Sequence, residues 1–314
     1  MSILDSLRQQ MAHFPKGKCA VALSGGGDSM ALCFMLKKLG YDVVALHFNH
    51  NIRPESENEA RWLADLLSSA DIPVIMGMWP EPVFGENLQA HARRARYQFF
   101  KEVCQRYEFS GVYIGHTEDD VLETFFIRLS HGSGLKGLAH CMPENSEVYG
   151  VKLYRPMLGL RREDLRAWLQ AEGLPWLEDP SNLNDKFFRV RMRKFMPKLK
   201  EWGLDGAWLS SLLPKLAQAE KQAQSVLEAF PLHKGPDGYT SSLDVLNTDE
   251  VYFKRWLIHV CQKVGAQDYP PRSHKILRLK DVLDKQGKCT LGGVIFSRHN
   301  DSLVMCAEQA NKAE

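Results

Sequence analysis

The sequence predicts an α/β protein: a parallel β-sheet with helices on both of its faces, then a helical extension and a small α+β C-terminal domain. Three observations indicate this fold. Short apolar runs alternate with amphipathic segments, a glycine-rich turn follows the first apolar run, and the later part of the chain becomes basic and helical. A chain of 314 residues, 44% of them hydrophobic, is long enough for two domains. We place these domains at residues 1–212, with the basic helical extension at 155–212, and at residues 213–314.

The elements of the sheet are predicted from the spacing of apolar residues. Apolar runs of strand length occur at residues 18–23, 42–49, 74–78 and 111–115. Apolar residues recur at helical spacing at residues 30–39, 57–70, 87–107 and 118–129. Because strands and helices alternate, we expect the strands to be parallel and the ligands to bind at their carboxyl ends.

The last third of the chain is predicted to be helical before it ends in a hairpin. A helix is expected at residues 209–230 and a loop at 231–239. Two further helices are predicted at residues 251–263 and 273–285, and a hairpin at 289–305 that turns at His299-Asn300-Asp301.

Composition and charge exclude several classes of protein. The formal net charge is only +2, so any contact with nucleic acid has to come from local basic patches. The seven cysteines are scattered, with no C-x-x-C pair and no zinc-ligand spacing, which favours a reduced, cytoplasmic protein. The sequence has neither a signal-peptide segment nor an apolar run of about 18 residues, so we expect no membrane partner.

The glycine-rich turn Ser24-Gly25-Gly26-Gly27-Asp28-Ser29 is the first candidate site. A strand that passes through glycines into a helix can wrap backbone N–H groups around a phosphate, which the positive helix end also attracts. Ser24 and Ser29 can donate hydroxyl hydrogen bonds. The Asp28 carboxylate would repel phosphate, so we expect it to hold a Mg²⁺ ion that bridges the carboxylate and the phosphate. The alternative is an ordinary glycine-rich turn with a helix cap.

Two familiar phosphate-binding motifs, G-x-x-x-x-G-K-[ST] and G-x-G-x-x-G, are absent. The turn instead resembles the PP-loop, S-G-G-x-D-S, of the ATP pyrophosphatases. This resemblance implies a Rossmann-like sheet of the adenine nucleotide alpha hydrolase type. It also implies a loop that cradles the pyrophosphate of ATP while AMP is transferred to a substrate.

Seven further motifs widen the resemblance, in matching order and spacing, over residues 18–200. They are ALHFNHNIR (45–53), ARRARY (92–97), GHTEDDVLET (115–124), HGSGLKGL (131–138), RPML (155–158), EDPSN (178–182) and RVRMR (189–193). Together they resemble the successive signatures of the tRNA(Ile)-lysidine synthetases. The part from Leu213 onward is similar to the small C-terminal domain of that family.

The resemblance implies a ligase that uses ATP and Mg²⁺ to adenylate the C2 carbonyl oxygen of the wobble cytidine in the CAU anticodon of an isoleucine tRNA. Free L-lysine then displaces AMP, so that the products are lysidine-containing tRNA, AMP and pyrophosphate. The implied ATP- and pyrophosphate-binding residues are Ser24, Gly25, Gly26, Gly27, Asp28, Ser29, His50, Arg53 and His116. For the two histidines, a structural role at a strand end is the alternative.

Asp120 and Glu123 lie three residues apart on a predicted helix, so they share one face at the mouth of the sheet. Two carboxylates suit a lysine substrate, because its ammonium has to be held and has to lose a proton before it attacks. With the resemblance, this makes Asp28, Asp120 and Glu123 the expected catalytic residues and the last two the lysine-binding pair. The alternative is an acidic first helical turn, which we favour for Glu118 and Asp119.

Four arginines are expected to contact tRNA or phosphate. Arg93 and Arg96 share one face of a long helix and could neutralise triphosphate or RNA oxygens, the alternative being a solvated basic face. Arg189 and Arg193 are spaced i, i+4 in a basic segment with interleaved phenylalanines, which suits an anticodon loop. The alternative there is a plain amphipathic helix. Nine Lys or Arg residues at 254–288, against three acidic residues, favour tRNA contacts in the C-terminal domain as well.

Two departures and two rival functions accompany the resemblance. His131 and Val190 stand where the family commonly has Arg and Asn, which weakens the assignment of RNA contacts to those two positions. A PP-loop tRNA thiolase would need paired cysteines, which this sequence lacks. A catalytically inactive paralogue that binds tRNA or nucleotide would not need three acids beside phosphate. The resemblance leaves open whether the protein is a homodimer.

Overall fold

The computed structural model describes residues 2–52, 54–82, 85, 87–178, 188–236, 238–265, 279–283, 285, 287–299 and 302–308. Arg53, residues 179–182, most of the predicted helix at 273–285 and the predicted turn at 300–301 lie outside these ranges. The chain divides into two compact units, Met1–Leu213 and Pro214–Glu314. The roles expected of the two domains, catalytic and tRNA-contacting, stay predictions.

Six strands form one sheet in the first unit. They are β1 (Cys19–Ala22), β2 (Val43–Asn49), β3 (Val74–Met78), β4 (Val112–Ile114), β5 (Asn145–Val148) and β6 (Val151–Tyr154). Their order is β3-β2-β1-β4-β6-β5, and every neighbouring pair is parallel except β5 with β6. The predicted α/β fold with a parallel sheet is therefore confirmed, with one antiparallel strand added at its edge.

The helices of the first unit connect these strands and extend beyond them. They are α1 (Ile3–Met11), α2 (Gly27–Lys38), α3 (Ser56–Ser69), α4 (Leu88–Arg106), α5 (Glu118–Ser130), α6 (Leu135–Ala139), α7 (Arg162–Ala171) and α8 (Phe188–Glu201), with α9 (Gly206–Ala229) running across the division between the units. The helix expected from residue 30 begins at Gly27, because the end of the glycine turn already forms its first turn.

Alternate residues of the strands face two separate apolar clusters. Cys19 and Val21 of β1 pack with α2 and its neighbours, whereas Ala20 packs with Tyr97 and Phe100 of α4. Because successive strand residues point to opposite faces, helices cover both sides of the sheet. The carboxyl ends of the central strands and the start of α2 therefore meet at one edge, which is where the glycine turn lies.

The second unit is an antiparallel sheet with a helix. Its elements are β7 (His233–Gly235), β8 (Gly238–Ser242), a 3₁₀-helix (Leu243–Asn247), α10 (Glu250–Val264), β9 (Lys288–Leu291), β10 (Val294–His299) and β11 (Ser302–Ala307). The sheet order is β7-β8-β11-β10-β9. Phe253 and Trp256 of α10 pack with Phe296 and Met305 in its buried cluster. The loop predicted at 231–239 is wrong, since β7 and the start of β8 occupy it.

Candidate functional site

The glycine turn is held in shape by its two serines. The Ser29 hydroxyl donates to the Gly26 carbonyl at 2.9 Å and accepts the backbone N–H of Ser24 at 3.2 Å. The backbone N–H of Gly26 donates to the Ser24 hydroxyl at 3.3 Å. This bonding folds the turn onto the first turn of α2, so that the glycine backbone lies at the positive end of the helix, as a phosphate-binding loop requires.

Two glycines permit close approaches that a larger residue would block. Gly25 has φ +87°, and a Cβ atom there would lie 2.8 Å from Leu177 Cδ1. The backbone N–H of Leu177 donates to the Gly25 carbonyl at 2.9 Å, so this loop is fixed from outside. A Cβ atom on Gly115, just after β4, would lie 2.8 Å from the backbone oxygen of Asp28. The end of β4 thus sets the position of Asp28.

The carboxylates of Asp28, Asp120 and Glu123 converge on one side chain, the guanidinium of Arg162. Its Nε donates to Asp28 Oδ2 at 2.9 Å, its Nη2 to Asp120 Oδ1 at 3.1 Å and its Nη1 to Glu123 Oε1 at 3.1 Å. Only 15% of the Arg162 side chain is exposed, compared with 9% for Asp120 and 1% for Glu123. The three predicted catalytic acids are therefore neighbours in the structure, joined by a residue that the sequence did not single out.

Arg189 and Arg193 on α8 complete this cluster. Arg189 donates to Glu123 Oε2 and to Asp120 Oδ1, both at 2.8 Å, and Arg193 donates to Glu123 Oε1 at 2.7 Å. Both arginines were expected on a basic surface open to RNA. Their guanidiniums instead lie on carboxylates, because acids as buried as Glu123 require counter-charges. The alternative of a plain amphipathic helix is also incomplete, since both side chains contact the site.

The arginines and the helix start determine how the acids ionise. Burial opposes ionisation of Asp120 and Glu123, but the adjacent guanidiniums hold the pKa of both carboxyls below the usual range. For Asp28 the balance is reversed: burial raises its pKa despite the contact with Arg162. Asp120 Oδ2 also accepts the backbone N–H and the hydroxyl of Thr117, at 2.9 and 3.0 Å, which caps α5.

Asp119 was expected only to form part of an acidic first helical turn. In the structure it also links three helices. Its Oδ2 accepts the backbone N–H of Arg162 at 2.8 Å, and its Oδ1 accepts Lys200 Nζ at 3.0 Å. Asp119 therefore ties the beginning of α7 and the end of α8 to α5. This bond fixes the backbone from which the Arg162 side chain extends.

A second group of side chains at the same edge is basic. His50 follows β2, His116 follows β4 and Arg155 follows β6, while Arg96 lies on α4. Arg155 Nε donates to His116 Nδ1 at 3.0 Å, and its Nη1 donates to the Pro143 carbonyl at 2.9 Å. Burial, with help from nearby arginines, lowers the pKa of both His50 and His116 to about 4, so both are neutral at pH 7.

Arg93 and Arg96 both lie against the ring of Tyr97, with guanidinium carbons 4.8 and 5.5 Å from its centroid. Arg93 is exposed and Arg96 is half-buried. The predicted shared face of α4 is therefore partly covered. Arg53 lies outside the described residues, and the contacts expected of it stay a prediction.

Asp28, the residue expected to hold a metal ion, lies in the glycine turn itself. Over the described ranges, no three His, Cys, Asp or Glu side chains are grouped to hold a metal ion. Mg²⁺ is commonly held by one or two carboxylates together with substrate phosphates, so the single carboxylate of Asp28 beside the turn fits it. That fit would require Arg162 to share or release Asp28.

Sequence reasoning missed Arg162 and did not assign a role to Arg155. Arg155 belonged to the RPML motif and follows a strand that was not predicted. Arg162 lies 134 residues from Asp28 in the chain and in none of the motifs. The only available signal was a paired Arg161-Arg162 at a helix start, where acidic residues are normally preferred.

Comparisons with known proteins show which family the chain resembles. Residues 2–199 match the family model of the PP-loop domain. The chain is 30% identical to the tRNA(Ile)-lysidine synthase of Ruegeria pomeroyi over 98% of this chain and 75% of that protein. It is also 30% identical to that of Rhodopseudomonas palustris, over 91% and 89% of the two chains. A U34-tRNA thiolase of Methanococcus maripaludis superposes with a TM-score of 0.55 at 16% identity, covering 67% of this chain and 78% of that one, which shows a common fold only.

Proposed function

Because the chain belongs to the tRNA(Ile)-lysidine synthase family, we propose that it joins free L-lysine to the wobble cytidine of a tRNA(Ile) with a CAU anticodon. ATP first adenylates the C2 carbonyl oxygen of that cytidine, with release of pyrophosphate, and the lysine ε-amine then displaces AMP. The observation that carries the proposal is the convergence of Asp28, Asp120 and Glu123 on one guanidinium, beside the glycine turn. A phosphate loop and a lysine-binding pair would then face the same reacting atoms.

The glycine turn would bind the pyrophosphate part of ATP. Its serine hydroxyls and backbone N–H groups lie at the start of α2, where anions are stabilised. Asp28 would hold Mg²⁺, which when bound offsets the negative charge of the phosphates. Gly115 keeps the Asp28 backbone in place, and so positions the carboxylate relative to the loop.

Asp120 and Glu123 would bind the lysine ammonium as carboxylates. Their pKa values are lowered by the arginines, so both are ionised at neutral pH and attract a cation. The same lowered pKa makes each a weak proton acceptor while the guanidiniums are in contact. We therefore assign the pair to holding and orienting lysine, and assign neither of them as general base.

Lysine binding would require an exchange of cations. Three guanidiniums already contact the three acids, and Glu123 is almost completely buried, so an ammonium has to replace one of them. Arg189 and Arg193 have side chains 43% and 35% exposed, against 15% for Arg162. The α8 arginines are therefore the ones expected to leave these acids and to contact tRNA phosphates instead, as their spacing first suggested.

Sulfur transfer is not favoured by the cysteines. All seven lie in the described part of the chain and none of them forms a disulfide, and burial raises the pKa of Cys104 to about 11 and that of Cys19 to about 11. A reactive cysteine needs a lowered pKa and access to solvent. The thiolase alternative therefore finds no specific support in these side chains.

Incorporation of labelled lysine tests the proposal. The full chain is incubated with ATP, Mg²⁺, radiolabelled L-lysine and a tRNA(Ile) transcript carrying CAU, and a transcript with a GAU anticodon serves as the control. We expect label in the CAU transcript only, with one pyrophosphate released per lysine. A folded protein that leaves the CAU transcript unlabelled would sink the proposal, and sulfur incorporation in its place would support the thiolase.

A further inference from the structure

His47 places a polar ring in an apolar layer of the first unit. It lies on β2 four residues after Val43 and two after Ala45, and alternate residues of a strand share one face of the sheet. Val43 and Ala45 pack in the apolar cluster that contains α2, and His47 is itself only 8% exposed. Because a buried polar group costs free energy unless it forms hydrogen bonds, packing alone does not account for a histidine here.

The His47 ring holds the last carbonyl group before the glycine turn. Its Nδ1 lies 2.9 Å from the carbonyl oxygen of Leu23, and because a carbonyl oxygen only accepts, Nδ1 must carry the proton and donate. β1 ends at Ala22, so this bond is made where the chain leaves the sheet. Burial lowers the pKa of His47, which leaves the ring uncharged at pH 7 and makes a directed N–H bond its contribution.

This hydrogen bond continues into the turn through one peptide unit and one hydroxyl group. The Leu23 carbonyl and the Ser24 N–H belong to the same planar peptide, and that N–H donates to the Ser29 hydroxyl at 3.2 Å. The Ser29 hydroxyl in turn donates to the Gly26 carbonyl at 2.9 Å. His47 therefore begins a chain of hydrogen bonds that runs from β2 into the middle of the turn, where such bonds strengthen one another.

The same bonds direct carbonyl oxygens away from the expected anion. A loop that binds phosphate presents its backbone N–H groups, and a carbonyl oxygen turned toward the ligand would repel it. Three carbonyls of this part of the chain are held by other donors: Leu23 by His47, Gly26 by Ser29, and Gly25 by the backbone N–H of Leu177 at 2.9 Å. The imidazole of His47 is a side chain from a neighbouring strand, so one substitution removes it without altering the glycine motif.

We infer that His47 is a positioning residue of the phosphate loop. Its Nδ1–H fixes the Leu23–Ser24 peptide and thereby presents the glycine N–H groups to the pyrophosphate part of ATP. The inference rests on the proposed function for the identity of that ligand. In this role His47 acts through the loop backbone and not by contact with ATP.

Three substitutions of His47 separate hydrogen bonding from the filling of space. The amide nitrogen of asparagine is attached at the same point of the side chain as Nδ1 of histidine, so His47→Asn can keep the bond to Leu23. His47→Gln moves the amide nitrogen one bond further out, and His47→Leu has no donor. Because one hydrogen bond is lost, we expect His47→Gln and His47→Leu to weaken ATP binding about tenfold. His47→Asn should stay within about threefold of the wild type.

Equilibrium binding of ATP with Mg²⁺, without tRNA or lysine, measures this effect, and thermal unfolding measures the stability of each variant. Val43→Ala is the control, because Val43 is buried on the same face of β2 but pairs with Cys19, at the opposite end of the strand from the turn. It should lower the melting temperature and leave the affinity for ATP unchanged.

Three results would overturn the inference. One is ATP binding by folded His47→Leu within about twofold of the wild type. Another is an equal loss of ATP affinity in all three His47 variants, because the asparagine amide should replace the Nδ1–H. The third is a loss of ATP affinity in Val43→Ala as large as that in His47→Leu, because the effect would then come from general destabilisation.

A spectroscopic measurement on the unaltered chain decides the question if a His47 variant fails to fold. In protein whose histidines are labelled with nitrogen-15, the ring nitrogen shifts of His47 should show a protonated Nδ1, and a bare Nδ1 would overturn the inference. Because neither measurement contains tRNA or lysine, a chain that binds ATP in this way but never incorporates lysine would overturn the proposed function and leave the role of His47 standing. A wild type that binds no ATP would overturn both.

Discussion

Replacing Arg162 with alanine removes a side chain that contacts Asp28, Asp120 and Glu123 together. Breaking a buried ion pair by removing one partner costs about 3–5 kcal/mol. Arg189 would still contact Asp120 and Glu123, so Asp28 is the acid that loses its counter-ion. We therefore expect the lower end, about 3 kcal/mol. In a unit the size of Met1–Leu213 this lowers the melting temperature by about 6–12 °C.

The adjacent residue supplies the control for this experiment. Arg161 pairs with Asp164 at 2.8 Å, but the two side chains are 52% and 43% exposed, so Arg161→Ala should cost less than about 1 kcal/mol. Arg162→Lys should fall between the two, because one ammonium cannot reach three separate acceptors in the way that a planar guanidinium does. Thermal unfolding followed by circular dichroism at pH 7.5 compares all three variants with the wild type.

The pH dependence of the Arg162→Ala effect follows from the pKa shifts. Burial already raises the pKa of Asp28, the acid that loses its counter-ion, despite the contact with Arg162. Without Arg162 the buried Asp28 carboxylate is more costly, and protonation of Asp28 removes that cost as the pH falls. The difference between wild type and Arg162→Ala should therefore be largest near neutral pH and shrink as the pH falls toward the ordinary carboxyl range, about pH 4. A melting temperature lowered no more than in Arg161→Ala at pH 7.5 would refute the reasoning.

Four further substitutions test how the site is divided. Asp28→Asn should abolish ATP-dependent pyrophosphate release. Glu123→Gln should weaken lysine use more than pyrophosphate release. Equal loss of both steps in Glu123→Gln would contradict the assignment of Asp28 to adenylation and of Glu123 to lysine binding. Gly115→Ala would place a Cβ atom 2.8 Å from the Asp28 backbone oxygen, so we expect the KM for ATP to rise about tenfold. Gly159→Ala is the control, because its Cβ atom would meet no atom within 4 Å, and it should leave the KM for ATP unchanged. Arg193→Gln should weaken tRNA binding without raising the KM for lysine, because under the proposed function the lysine ammonium would replace this guanidinium. A large rise in that KM would show that Arg193 holds the substrate.

Sequence reasoning recovered the central sheet because each strand is an apolar run bounded by clear turns. It missed the β5-β6 hairpin, whose two-residue loop is Tyr149-Gly150, with φ +52° and +77°. Loops of this kind usually contain Asn-Gly or Asp-Gly, and a tyrosine at positive φ gives no such signal. The strands on either side are four residues long, too short for their periodicity to stand out.

Site residues that directly follow a strand could be predicted from the sequence. Site residues that reach the edge through packing between helices could not. Asp28, His50 and His116 follow strands, so the order of the elements alone placed them at one edge. Arg162 reaches that edge only because α7 packs beside α2 and because Asp119 holds its backbone N–H. The i, i+4 spacing of Arg189 and Arg193 correctly indicated that they project together. It could not reveal that the nearest unsatisfied charges were two buried acids of the same protein.

Acidic and basic side chains form separate groups at the edge of the sheet, and this separation has a physical cause. Asp28 and Asp120 lie in the first turns of α2 and α5, where helix dipoles favour negative charge, and Glu123 lies further along α5. Arginines from later helices neutralise all three acids. The basic group extends along the ends of β2, β4 and β6, and within the described chain Arg96 and Arg155 form no ion pair with an acid. His116 stands between the two, since Asp120 favours its protonation while Arg155 and burial oppose it. Under the proposed function, lysine would bring its ammonium to the three acids and ATP would bring phosphate oxygens to the basic group. Neither ATP nor lysine alone supplies a partner for both groups.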